Sequence, residues 1–175
     1  MKLLDVNIVL AAHRDDHPDF ETARAWLDHA LAERTPFAVV DLVAGAFLRI
    51  ATNRRIFAIP TPVDEAFAYL KALRSQSAHV MLAPGPRHLV LLERLCADGD
   101  AVGDLIADAQ LAAIALEHAC ELVSFDRDFA RFSELNWSRP SPKQTNPSEG
   151  HKVSAATSSP TRRRARRPRN SEPGR

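Results

Sequence analysis

The chain has 175 residues, 45% of them hydrophobic and 26% charged, with a formal net charge of +1. That mix suits one globular domain of ordinary size plus a remainder. It holds no apolar run of about 18 residues, which excludes a membrane-spanning helix, and residues 1–5 reach an acid too early for the apolar core of a signal peptide. Cys96 and Cys120 form no CxxC pair and no disulfide framework, so the expectation is a cytoplasmic protein.

Lys2-Leu3-Leu4 reads as a first short strand ending in Asp5, with Asn7 placed to cap a helix that opens at Ile8. Asp19 is placed to cap a second helix, whose Phe20, Ala23, Leu27, Ala30 and Leu31 recur at helical spacing. Thr35-Pro36 breaks the chain before a second strand at 37–40. Asp41 then takes the cap position for a helix over 42–52. Pro60 and Pro62 precede a helix near 63–74, residues 79–82 read as a strand, and a helix follows near 87–97. Gly103-Asp104 opens a helix reaching Ala119, and residues 121–125 form the last strand, closed by Asp126. Short apolar strands alternating with helices predict a parallel sheet flanked by helices. Beyond residue 137 the composition changes: ten Lys/Arg stand against Glu149 and Glu172, a net +8, which leaves 13 basic and 20 acidic residues, a net −7, in residues 1–137. Six of the 12 prolines also fall in this stretch. So little aliphatic surface cannot offset chain entropy, so residues 138–175 are expected to be a disordered basic tail behind a domain at 1–137.

In parallel sheets the reactive groups gather beyond the carboxyl ends of the strands, and Asp5 and Asp126 both stand there. On the helix from 105, at about 100° per residue, Asp108 falls about 60° from Leu105, inside an apolar arc that includes Ala109, Ala112, Ala115 and Leu116. An inward carboxylate is unfavourable unless a cation or several donors compensate it. An acid in the first turn of a helix is ordinary, but its inward direction is not. Three acids gathered at one sheet edge repel one another unless a cation lies between them. The seven histidines form no HExxH motif, which argues against zinc. Hard carboxylate oxygens suit Mg²⁺, or Mn²⁺. No GxxxxGK[ST] or GxGxxG occurs.

Four blocks resemble the PIN-domain ribonucleases, specifically the VapC-type toxins of bacterial toxin–antitoxin systems. They are Leu3-Leu4-Asp5-Val6-Asn7, then Phe47-Leu48-Arg49-Ile50-Ala51-Thr52-Asn53 with Ile56-Phe57, then residues 108–115, and finally residues 122–129. The resemblance spans residues 1–137. It implies a three-layer sandwich with a central parallel sheet and a metal-dependent endoribonuclease. Asp5 and Asp108 would hold Mg²⁺, directly or through water, and Asp126 would complete the site or orient the attacking water. It also implies an RNA substrate, a cognate antitoxin and a homodimer. The sequence departs from the family at one place: a glutamate expected just ahead of Leu48 is missing, with Ala46 or a neighbour in its position. Asp41, one turn earlier, is the candidate substitute, and its cap position explains it equally well. A catalytically inactive module that binds RNA or an antitoxin is therefore the competing expectation. Arg49, Arg54 and Arg55 are candidates for positioning the RNA backbone. Phe20, Trp26 and Leu27 read first as core, and second as a groove for an antitoxin segment.

Overall fold

The computed structural model describes residues 1–141; the expected basic tail, from residue 142 onward, lies outside the described residues. Four strands form one sheet in the order β2-β1-β3-β4: β1 (Lys2–Leu4), β2 (Phe37–Ala38), β3 (Glu121–Val123) and β4 (Trp137–Ser138). Every pairing is parallel, with Leu3 opposite Ala38 and Leu122, and Leu122 opposite Trp137. The central β1 is a run of apolar residues because both of its faces are covered; Leu3 and Leu4 are wholly buried. Six helices connect and cover the strands: α1 (Val6–His13), α2 (Phe20–Ala32), α3 (Asp41–Ala51), α4 (Val63–Arg74), α5 (His88–Asp98) and α6 (Leu105–Glu117). The α1 helix packs on α2 and α3, α3 on α4, and α5 on α6, giving the expected α/β sandwich. Phe37, Phe47 and Phe129 anchor the core without solvent contact, each stabilising it by roughly 1.5–3 kcal/mol through burial. No described helix is long and apolar enough to cross a membrane.

The structure corrects the expected elements in several places. The α1 helix starts at Val6, two residues early, and Asp5 is its cap: Asp5 Oδ1 accepts the Val6 N–H at 2.6 Å. Asn7 is instead a helical residue turned toward the end of β3. Asp19 makes no capping hydrogen bond, and Val40 rather than Asp41 holds the cap position of α3. The strand expected at 79–82 shrinks to one bridge, between Phe37 and His79. There the His79 imidazole Nε2 accepts the Val39 N–H at 3.3 Å, a side chain taking the place of the next main-chain rung. Val80 and Met81 beyond it are exposed.

The fourth strand is β4, which the sequence reading assigned no structure. Leu122 N donates to Asn136 O and Ser124 N to Ser138 O, and the Ser138 hydroxyl donates to Glu121. The ordered fold thus runs past the expected boundary at 137, with Pro140 still buried. The apolar arc drawn on α6 was also too narrow. Leu111 and Ile114, outside that arc, are 3% and 2% exposed, because α5 covers the side that the sheet does not. Leu27 is core, as its spacing implied, while Phe20 and Trp26 are half-buried.

Candidate active site

The parallel sheet turns the carboxyl ends of β1 and β3 to the same edge, and each strand delivers a polar segment there. Asp5 N donates to Val123 O at 3.0 Å, so Asp5 continues the ladder one residue past β1. Its side chain is 6% exposed, one of three buried polar or charged residues among those described, with Thr61 and Ser124. Ser124 is wholly buried and donates its hydroxyl proton to Asp5 Oδ2 at 2.6 Å. Ser124 Oγ itself accepts from Asn7 Nδ2 and from Asp126 N, each at 2.9 Å. One donated and two accepted bonds saturate a hydroxyl. Asn7 Oδ1 in turn accepts the Phe125 N–H at 3.2 Å. Ser124 and Asn7 therefore weld the start of α1 to the segment after β3 and fix Asp5 between them.

Asp108, one turn into α6, is half-buried and shares a small cavity with Asp5. The cavity holds about 70 Å³ and is walled by Val6, Leu42, Val43, Ala46, Ala107 and Leu111. Burial pushes the Asp108 carboxyl up to about 6, and the negative charges of Asp5, Asp126 and Asp128 push the same way against Arg131. Burial also raises Asp5, offset in part by the bonds from Ser124 and Val6, and the charge of Asp126 adds to the rise. Asp126 itself is exposed, and its Oδ1 accepts the Asp128 N–H, the ordinary work of a turn residue. Its charge nonetheless acts on both other acids. Asp5 and Asp108 thus meet in one cavity and Asp126 stands at its side. Among the described residues no three His, Cys, Asp or Glu side chains close into a metal-holding cluster.

The donor set still fits a hard divalent ion: oxygen ligands only, two carboxylates at one cavity, and mutual repulsion that a cation relieves. Ala46 lines this cavity, so the position of the expected glutamate faces the acids and carries a methyl group. Asp41 does not replace it. Its carboxylate is exposed and paired with Arg74 Nη2 at 2.7 Å, held to α4 instead. Ser124 and Asn7 were the residues that sequence reasoning missed. An asparagine two residues past an acid and a polar serine amid apolar strand residues were the available signals, but spacing alone reads Asn7 as a helix cap and Ser124 as part of the strand 121–125.

Comparison with known proteins agrees with this geometry. Residues 2–135 match the PIN domain. Ribonuclease VapC25 of Mycobacterium tuberculosis is 56% identical over 140 residues, covering 80% of this chain and 99% of that protein. The VapC ribonuclease Mb2897 of Mycobacterium bovis is 40% identical over 145 residues, covering 83% and 99%. In fold, the chain is similar to VapBC2 from Rickettsia felis bound to a promoter DNA fragment, with TM-score 0.60, 15% identity, and 79% and 97% of the chains covered. It is also similar to the Sarcin-Ricin loop cleaving toxin VapC20 of M. tuberculosis, with TM-score 0.55, 16% identity, and 74% and 93% covered. A parallel sheet with acids gathered at its carboxyl edge, matched over almost the whole described chain, makes this protein a member of the PIN-domain family, among the VapC ribonucleases.

Proposed function

We propose that the chain is the toxin of a toxin–antitoxin pair, an endoribonuclease that hydrolyses RNA phosphodiester bonds with Mg²⁺ held by Asp5 and Asp108. The observation that carries this reading is the shared cavity of those two acids, with burial and neighbouring charge raising both carboxyls. Mg²⁺ keeps several waters and binds through one or two carboxylates, so a site without a third close ligand suits it. The bound ion supplies a more acidic water and polarises the phosphoryl oxygen. The chain's own residues do the rest. Ser124 and the Val6 N–H hold the Asp5 carboxylate in one orientation. The buried Val43 and Leu111 form an apolar inner wall, which strengthens each charge at the site. Asp126, exposed and acting by its charge on both acids, would orient a water.

The partners in this reading are an RNA substrate and a cognate antitoxin, with the toxin a homodimer in the cytoplasm. VapBC complexes among the fold relatives are consistent with such an antitoxin. Ala46 favours a second reading, an inactive module that binds without cutting. One assay separates the two. The purified chain is incubated with labelled RNA in Mg²⁺, Mn²⁺ or EDTA, alongside Asp5→Asn. Cutting that needs the metal and vanishes in the variant supports the enzyme; intact RNA with retained binding supports the module. Expression without an antitoxin should arrest growth, and Asp5→Asn should relieve the arrest.

A further inference from the structure

The wall of the acid cavity continues along α3 into a basic surface. Leu42 and Ala46 line the cavity, and Arg49 follows them at i+7 and i+3. The helical repeat therefore carries Arg49 one turn further along the same side. It is exposed. The α3 helix ends at Thr52, whose hydroxyl donates back to Leu48 O at 2.7 Å, and the exposed Arg54 and Arg55 follow at once. Arg14, Arg24, Arg74, Arg94 and Arg131 each pair with a carboxylate. Among the described residues, others such as Arg34, Arg87 and Arg127 stand singly without an ion pair, whereas Arg49, Arg54 and Arg55 lack one together in one short run. Residues 1–137 carry a net −7, so acids are plentiful, yet three arginines in seven residues stay uncompensated. Such a concentration of positive charge draws an anion.

The segment carrying these arginines is held in shape from both ends. Arg55 N donates to Asn53 Oδ1, and Ile56 N and Phe57 N both donate to Asn53 O. Thr61 N closes the loop onto Ala51 O at 2.9 Å. From α1, Arg14 reaches across to clamp it. Its guanidinium donates to Thr61 Oγ1 at 3.2 Å and Ile59 O at 3.1 Å, and lies 3.8 Å from the centre of the Phe57 ring. Between the loop and α4 lies a cleft of about 560 Å³ lined by Thr52, Arg54, Ala58, Pro60, Thr61 and Pro62. That volume falls in the range of small-ligand sites, roughly 300–1,000 Å³. Proline and alanine faces suit a base, and the Arg54 fork suits a phosphate.

We propose that Arg49, Arg54 and Arg55 form a track for single-stranded RNA leading away from the acids, with the cleft beside Arg54 seating a nucleotide that flanks the cut. From Ala46 to Thr52 the helix advances about 9 Å, a step that two or three nucleotides of a strand cover. The inference rests on the ribonuclease reading, and these arginines are positioning residues.

The test uses the full chain and a short fluorescein-labelled single-stranded RNA. Arg49→Ala, Arg54→Ala and Arg55→Ala are compared with Arg34→Ala, which removes the same charge from the turn after α2. Binding is measured on an Asp5→Asn background, cleavage on the otherwise native chain, and folding by circular dichroism melts. Each track variant should weaken binding about five- to tenfold at low salt, with the salt slope reduced by about 0.7 per lost phosphate contact. KM should rise while kcat stays within about twofold, the mark of lost uniform binding. Arg34→Ala should change neither. Track variants that bind and cut like Arg34→Ala overturn the proposal while leaving the ribonuclease reading intact. Unchanged RNA binding with lost affinity for a protein partner overturns it as well. A native chain that binds through these arginines but never cuts sinks the ribonuclease reading and leaves the track standing.

Discussion

Ser124 Oγ lies 2.6 Å from Asp5 Oδ2, a hydrogen bond between residues 119 apart in sequence and wholly enclosed by the fold. The bond favours the ionised form of a carboxylate that burial otherwise opposes. Ser124→Ala removes that donor and also strands two others, Asn7 Nδ2 and the Asp126 N–H. Leaving part-buried donors unmatched costs toward the low end of about 1–3 kcal/mol, so urea unfolding should show a loss of about 1 kcal/mol. The lower limb of the pH–rate profile should also move upward as Asp5 becomes harder to ionise. A variant with native stability and an unshifted profile would mean that the network does not hold Asp5.

Asp108 gives the site a pH dependence of its own. Its carboxyl sits at about 6 in the fold and at about 3.9 in an unfolded chain, so folding favours the protonated form. The stability this group contributes is complete below about pH 4 and is lost as pH climbs through about 6. In metal-free protein, Asp108→Asn should therefore be more stable than the native chain at pH 7.5, by about 1–2 kcal/mol after allowance for solvent screening. Near pH 4 the two should melt together. Mg²⁺ should raise the melting temperature of the native chain more than that of the variant, and cleavage should be lost in the variant. A marked loss of stability in Asp108→Asn at pH 7.5 would make Asp108 a structural residue.

Much of this fold was legible because its strands are short apolar runs and its helices carry strong periodicity. Lys2-Leu3-Leu4 and residues 121–125 read as strands, and the second ends two residues early, at Val123. The inward direction of Asp108 followed from the angle it makes with its apolar neighbours. What stayed hidden depends on contacts between distant residues. The β4 strand is two residues, Trp137 and Ser138, formed because β3 offers a free edge and Glu121 takes the Ser138 hydroxyl. Nothing in its own composition marks it. The strand expected at 79–82 failed because a side chain, His79, occupies the rung its backbone would have needed. Cap residues were misassigned for a related reason: Asp5 and Asn7 are both good caps, and only the position of Ser124 decides which one points along the helix.

The β4 strand carries described structure past the expected boundary at 137. A chain truncated after residue 141 keeps the β3–β4 ladder and the bond from Ser138 to Glu121. The Pro- and Arg-rich composition beyond residue 141 predicts no packed core there, so the truncated chain should melt within about 2 °C of the full chain and should still cut RNA. Truncation after residue 136 removes β4, exposes the β3 edge and frees Glu121 from one of its two side-chain donors. Its melting temperature should fall by several degrees, an effect of about 1–2 kcal/mol. Equal melts for the two truncations would show that β4 adds nothing to stability.

Ala46 permits a direct test of what the acid cavity is for. Its methyl group stands on the wall shared by Asp5 and Asp108, with Leu42 and Val43 one helical turn before it. Ala46→Glu sends a third carboxylate toward two whose protonation is already favoured by burial and mutual repulsion. Without metal, the added like charge should lower the melting temperature at pH 7.5 and leave it closer to native near pH 5, where carboxylates in such a group take up protons. With Mn²⁺ or Mg²⁺ the sign should reverse. A third oxygen ligand replaces a water on the ion, so half-maximal thermal stabilisation should occur at roughly tenfold lower metal, about 1.4 kcal/mol of added affinity. Asp41→Ala serves as the comparison, because its carboxylate faces Arg74 and not the cavity; it should leave the metal response unchanged. If Ala46→Glu lowers stability equally with and without metal, the cavity does not receive the ion. The assignment of Asp5 and Asp108 as its holders would then have to be abandoned.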